Sequence, residues 1–288
     1  MRLVTFDKGG RPAAGVRRAG DIVDLTLAAP DLPGDWPAIF AAGAMDRVAG
    51  VVVNAGDEAL VAADRVKLLP PIPRPPKILA IGLNYRSHAE ETGLAIPEYP
   101  IVFARWPGSV VGHDRPIVRP KLSEQFDYEG ELAIVIGTGG RAIPRDEALD
   151  HVVGYSAFND GSLRDYQFTS SQWTMGKNFD ASGSFGPDIV TTDELPPGAA
   201  GLRIQSRLNG EVVQDSNTDD LIFDVVDLVT ELSNVMTLEA GDVIPTGTPP
   251  GVGFVRKPPL FMKPGDVCEV EIEGIGILRN PVIDEGAA

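Results

Sequence analysis

A single cysteine in 288 residues, Cys268, leaves this chain no internal disulfide and no thiolate metal cage. Histidine is nearly as scarce. His88, His113 and His151 are the only three, too few for a multi-histidine zinc or iron centre. Basic residues are outnumbered, with 25 Lys and Arg against 41 Asp and Glu, and the net charge is −16. That field repels nucleic acid and anionic membrane, and an anionic small substrate must find a local positive centre. No apolar run approaches the ~20 residues of a membrane span. The opening MRLVTFDKGG lacks the apolar stretch of a secretory signal, so a soluble, cytoplasmic protein is expected. No GxGxxG, GKS/GKT or GxSxG occurs, which removes the dinucleotide fingerprint, the phosphate loop and the serine-nucleophile elbow.

What is present is glycine (32) and proline (25), spread as punctuation between short strands. Five prolines fall in the nine residues Leu69–Lys77, LPPIPRPPK, which reads as a semi-rigid linker. It divides a small N-terminal domain, residues 1–70, from a larger one, residues 71–288. In the first, Met1–Phe6 and Ile22–Leu25 read as strands, and Trp36–Gly43 and Val48–Asn54 as short helical or mixed pieces. In the second, strands are expected at Ile78–Ile81, Ile101–Phe103, Glu131–Ile136, Val152–Asn159, Leu202–Leu208, Val243–Thr246 and Val267–Ile272. Leu221, Val225, Leu228 and Leu232 predict a helix over Asp219–Asn234, capped by Asp219 or Asp220. Leu163–Thr169 reads as a shorter one. Strands outnumber helices without alternating with them, so the fold class is α+β and β-rich, not a doubly wound sheet.

The chemistry gathers around Phe126–Gly137, FDYEGELAIVIG. Strand alternation puts Glu129 and Glu131 on one face with Ala133 and Val135, and Leu132, Ile134 and Ile136 on the other. A strand apolar on both faces is buried on both sides, and two carboxylates there need protonation, a basic partner or a cation. The same spacing also suits two glutamates at a solvated strand entry. A second buried strand, Val152–Asn159, ends at Asp160, and three carboxylates from two strands make an all-oxygen site suited to Mg²⁺ or Mn²⁺. Such an ion would also be the positive centre that the net charge demands. His88 and Glu91, three apart, share a helix face. They form either a water-activating dyad or a surface pair. Lys177, in a Gly- and aromatic-rich loop, either holds a substrate oxygen or lies exposed. His151 reads as a structural histidine and Cys268 as a buried strand residue, while His113 either is structural or reaches the pocket around Arg105.

Taken in order, GLNYxxHxxE, DYEGELAIVIG, FND-x-S-x-RD, GKNFD…FGP, LNGEVVQDSNT and GDVIPTGTPPGVG closely resemble the fumarylacetoacetate hydrolase superfamily, from residue 77 to about 283. The resemblance implies a mixed β-roll catalytic domain behind a small N-terminal α+β domain, usually in a homodimer. It implies a divalent metal, Mg²⁺ or Mn²⁺, on Glu129, Glu131 and Asp160. It implies a catalytic His88–Glu91 dyad on a lid ordered by substrate, and Lys177 beside the substrate oxygens. Gln167 and Thr248 match further substrate-binding positions. Many relatives have Phe-x-Lys-Pro where this chain reads Phe103-Ala-Arg105-Trp106-Pro107, so a planar guanidinium, expected to help bind substrate, replaces a point charge. Ser162-Leu163-Arg164-Asp165 likewise departs from the common S-A-R-D. Members of this superfamily cleave, decarboxylate or isomerise 2-oxo and 1,3-dioxo acids. Retention of the dyad favours hydrolysis of an acylpyruvate, such as maleylpyruvate or fumarylpyruvate from aromatic-ring breakdown. An oxaloacetate-type decarboxylase or a 2-hydroxymuconate-type isomerase is the alternative. A non-catalytic scaffold would have no use for three carboxylates, a dyad and a lysine together.

Overall fold

In the computed structural model, which describes residues 1–287, an eleven-stranded sheet forms the centre of the molecule. Across it the strands run Leu60–Ala62, Asp21–Asp24, Pro12–Arg18, Arg2–Asp7, Gly183–Thr191, Val152–Asn159, Gly130–Ile136, Val243–Pro245, Ile78–Gly82 and Ile101–Arg105, and Val110–Val111 adds to Gly183–Thr191. A five-stranded sheet (Glu211–Asn217, Arg203–Leu208, Val267–Ile272, Gly276–Asp284, Ile117–Arg119) packs over one face. This is the β-rich α+β architecture expected. No described helix is long and apolar enough to cross a membrane.

The central strand Gly130–Ile136 explains the layering. Leu132, Ile134 and Ile136 enter a core shared with Ile204, Val270 and Ile272 of the second sheet and with the helix Val225–Val235. Ala133 and Val135 face the opposite core, with Phe158, Phe185 and the N-terminal Trp36, Ile39 and Phe40. All seven residues of the strand are buried. The N-terminal strands extend the same sheet, because Arg2–Asp7 pairs antiparallel with Gly183–Thr191. The proline segment Leu69–Lys77 has no helix or strand and lies packed down, with Ile72 in the core and the Thr5 hydroxyl donating to the Pro71 carbonyl.

The helix expected over Asp219–Asn234 begins later, at Val225, behind a capping box made by Asp224 and Asp227. Leu221–Phe223 is pulled out of helical register by Asn84. Its carbonyl accepts from the Ile222 amide and its side-chain oxygen from the Phe223 amide.

Candidate active site

Strand register brings the carboxylates together. Gly130 stands opposite Asn159 and Glu131 opposite Phe158 in the antiparallel pair. Glu129 and Asp160, one step beyond that ladder, therefore meet, and the Asp160 amide donates to the Glu129 carbonyl at 2.8 Å. One oxygen each from Glu129, Glu131 and Asp160 lies within 4.8 Å of the others, and all three residues are buried.

Three buried cations hold this cluster. Lys177, from the short helix Thr174–Lys177, donates from Nζ to Glu129 Oε2 (2.7 Å) and Asp160 Oδ2 (2.6 Å). Arg164 reaches Glu129 Oε1 at 2.6 Å and Asp127 Oδ2 at 2.8 Å. Arg105, 2% exposed, donates to Asp160 Oδ1 at 2.5 Å and to the Ser182 hydroxyl. Four buried carboxylates (Asp127, Glu129, Glu131, Asp160) thus face three buried cations, and the deficit falls on Glu131. Its one hydrogen bond comes from the Gly247 amide at 2.9 Å. Gly247 has φ +98°, and a Cβ there would lie 2.8 Å from Asn84 Cβ, so only glycine brings this amide to the carboxylate.

The electrostatics follow from that arrangement. Lys177 and Arg164 overcome the desolvation of Glu129 and hold its carboxyl down at about 2. Burial, reinforced by repulsion from Asp160 and Glu129, drives the Glu131 carboxyl well above the usual range. A cluster short of one positive charge, built wholly of hard oxygen donors, fits Mg²⁺ or Mn²⁺ on Glu129, Glu131 and Asp160.

The dyad is assembled as well. The helix Arg86–Thr92 holds His88, 7% exposed, with Nδ1 3.1 Å from Glu91 Oε2. The Glu91 carboxylate also accepts from the Gly251 amide at 3.0 Å, tying the helix to the loop after Val243–Pro245. His88, Glu129, Glu131, Gln167, Lys177 and Thr248 all line one cavity of about 120 Å³. Arg105 is absent from its wall and acts on Asp160 instead. His113 contacts Asp114 and the Arg279 amide, and His151 the Thr138 carbonyl, both elsewhere in the fold. Burial pushes the Cys268 thiol up to about 12, so it stays protonated and unreactive.

Arg164 carries a role that sequence reasoning did not assign. It is 3% exposed, lines the cavity, stacks over Phe254 at 4.5 Å and donates to Gln167 Oε1. Its second terminal nitrogen, Nη2, is buried and has no partner among the described residues. A buried guanidinium nitrogen left unpaired at a cavity is a waiting donor for a carboxylate or enolate oxygen. The two adjacent acids, Asp127 and Glu129, were the available signal. Larger, more open clefts of about 490 and 620 Å³ along the helix Trp36–Ala41 bring no buried charged groups together.

Residues 77–283 match the sequence profile of the fumarylacetoacetate (FAA) hydrolase C-terminal family. The chain belongs to the fumarylacetoacetate hydrolase family. Within it, the oxaloacetate tautomerase fahd2 of Xenopus laevis mitochondria is 39% identical over 98% of this chain and 90% of that protein. The fumarylacetoacetate hydrolase of Exiguobacterium antarcticum superposes with TM-score 0.86 at 39% identity, over 99% of this chain and all of that one. The maleylpyruvate hydrolase of Sphingobium sp. SYK-6, solved with manganese(II) and pyruvate, gives TM-score 0.80 at 28% identity over 99% of each chain.

Proposed function

We propose that this protein is a Mg²⁺- or Mn²⁺-dependent enzyme that interconverts the enol and keto forms of a short 2-oxo dicarboxylic acid, oxaloacetate being the fitting example. The observation that carries this reading is that His88, Lys177, Glu129 and Glu131 line one cavity of about 120 Å³, with Glu91 behind His88 and Asp160 clustered with the two glutamates. That space is well below the ~300 Å³ of a typical ligand pocket and suits a four-carbon acid. Oxaloacetate tautomerases from vertebrates, similar over nearly the whole chain, point the same way.

A divalent ion, when bound, polarises the 2-oxo group as a Lewis acid. The remaining work falls to side chains. With Nδ1 engaged by Glu91, His88 keeps Nε2 for the substrate. It delivers a proton to C3 of the enol, and the enol oxygen gives up its own proton to solvent. In the reverse direction His88 removes the C3 proton. Glu91 stabilises the charged ring, a general acid–base contribution of about 10²–10⁴-fold. Lys177 stabilises charge on the substrate oxygen. Arg164 Nη2, without a partner among the described residues, donates to a substrate carboxylate.

The same dyad supports a second reading, hydrolysis of an acylpyruvate. There His88 would deprotonate a water attacking the distal carbonyl, and the similarity to a maleylpyruvate hydrolase favours it. One experiment separates the two. Enol-oxaloacetate is followed by ultraviolet absorbance, and maleylpyruvate, fumarylpyruvate and acetylpyruvate by NMR, each with Mn²⁺ and with EDTA. Ketonisation above the metal-only blank, lost in His88→Ala, is the expected result. Pyruvate and free acid from an acylpyruvate, with ketonisation unaccelerated, would replace the tautomerase with a hydrolase.

A further inference from the structure

Beside its charged groups the cavity is lined by apolar side chains, Leu83, Leu94, Ile101, Phe103, Phe168 and Trp173 among them. Trp173 has an unusual seat. Its indole lies directly against Gly82, the last residue of the strand Ile78–Gly82, so that a Cβ on Gly82 would fall 2.0 Å from Cζ3 and 2.6 Å from Cη2. Gly82 ends a regular strand and does not have the positive φ that would itself demand glycine. The missing side chain is therefore explained by room for the indole. From the other side, the ring packs edge-on against Phe103, with centroids 5.5 Å apart at 68°. Phe103 in turn lies under Lys177 Nζ, 5.1 Å from the ring centroid.

We infer that Trp173, seated on Gly82 and braced by Phe103, is the specificity-determining wall that limits the site to 2-oxo acids with short tails. The inference rests on the 2-oxo acid reading above and adds to it which residue sets the tail length. Lys177, Arg164 and the ion that Glu129, Glu131 and Asp160 would hold fix the 2-oxo carboxylate end, so added methylenes fall to the apolar side chains. An indole clamped between a bare backbone and a second ring cannot yield to it. One methylene of misfit in an apolar pocket discriminates by about 10–200-fold.

The test reads binding, so it does not depend on which reaction the enzyme performs. Pyruvate, 2-oxobutyrate and 2-oxohexanoate are titrated calorimetrically into the Mn²⁺-loaded protein. The native protein should lose at least tenfold in affinity by the six-carbon acid. Trp173→Ala should abolish that loss, leaving the long acid bound at least as well as pyruvate. Gly82→Ala, whose new methyl group displaces the indole, should weaken the length dependence by itself. In the Trp173→Ala background it should change affinities by less than about twofold. Should removing the indole unfold the protein, Gly82→Ala alone decides.

Equal length dependence in the native protein and Trp173→Ala would overturn the proposal. So would a Gly82→Ala effect that is the same with and without the indole. Absence of binding by every 2-oxo acid would overturn it together with the function it rests on. A protein that binds the series as expected but does not accelerate ketonisation would lose the tautomerase reading and keep the wall.

Discussion

At the charged floor of the cavity, Lys177, Arg164 and Arg105 each meet at least one buried carboxylate through a short bond, and the elements that carry them lie in the sheet or against it. The rim is held far more lightly. The seven-residue helix that carries His88 has no side-chain cap of its own and is fastened by Glu91 to the Gly251 amide and by Ser87 to Asp220. Seven residues are too few for a helix to be stable alone. Removing a floor charge should therefore damage stability and chemistry together, whereas changes at the rim should separate them.

The strongest way to break this contrast is Lys177→Met. It leaves Glu129 and Asp160 face to face without their shared cation. Stripping one partner from a buried ion pair destabilises by about 3–5 kcal/mol. Urea denaturation in EDTA should show that loss, with Mn²⁺ restoring part of it and activity close to abolished. A loss below about 1 kcal/mol would mean that the floor is not held by its charges.

Next in size is His88→Ala. Turnover should fall by about 10²–10⁴-fold, while the denaturation midpoint and Mn²⁺ affinity stay near the native values. If metal affinity dropped alongside turnover, rim and floor would be one unit.

Glu131 sharpens the contrast within the floor itself. Glu129, held down at about 2, contributes stability above its unfolded pKa of ~4.3 that is lost as pH falls toward 2. Glu131 has the opposite sign. Raised in the folded state, its contribution is fully present below ~4.3 and is lost as pH rises through the folded value. In EDTA, Glu131→Gln should therefore be more stable than the native protein at neutral pH and equal to it near pH 4. In Mn²⁺ the order should reverse, because the native cluster gains an ion that the variant binds poorly. Thermal melts at both pH values with and without metal check the crossing.

Period-two alternation along Glu131–Ile136 was enough to read a strand buried on both faces, and the motif order was enough for the family. Other features depended on partners distant in the chain. Gly183–Thr191 is a central strand although it contains Pro187, a residue expected only at edges or bulges. The ladder with Val152–Asn159 shifts register between Tyr155 and Ala157, where that proline is absorbed. The helix start at Asp224, in place of Asp219 or Asp220, is set by Asn84, some 139 residues earlier in sequence. Arg105 looked like a pocket residue from the Phe-x-Lys-Pro resemblance, but its fork is spent on Asp160, Ser182 and Ser109. Local pattern shows which residues are buried, and the tertiary register decides which of them meet.

Asp220 tests the second fastening of the rim. Its Oδ2 accepts from both the amide (3.1 Å) and the hydroxyl of Ser87, in the first turn of the helix that presents His88. The residue before that turn, Tyr85, supplies no cap, so a carboxylate 133 residues away in sequence takes the role. A helix cap is worth about 1 kcal/mol, which is about fivefold in the folded-to-frayed equilibrium of this helix. Asp220→Ala should speed hydrogen exchange of the Ser87–Thr92 amides by about that factor and lower turnover by a similar few-fold, with the global melting temperature nearly unchanged. Asp220→Asn keeps an oxygen acceptor without the charge, so its effect should be smaller. Unaltered exchange in Asp220→Ala would show that Glu91 and Gly251 alone hold the helix in place, leaving the rim with one fastening.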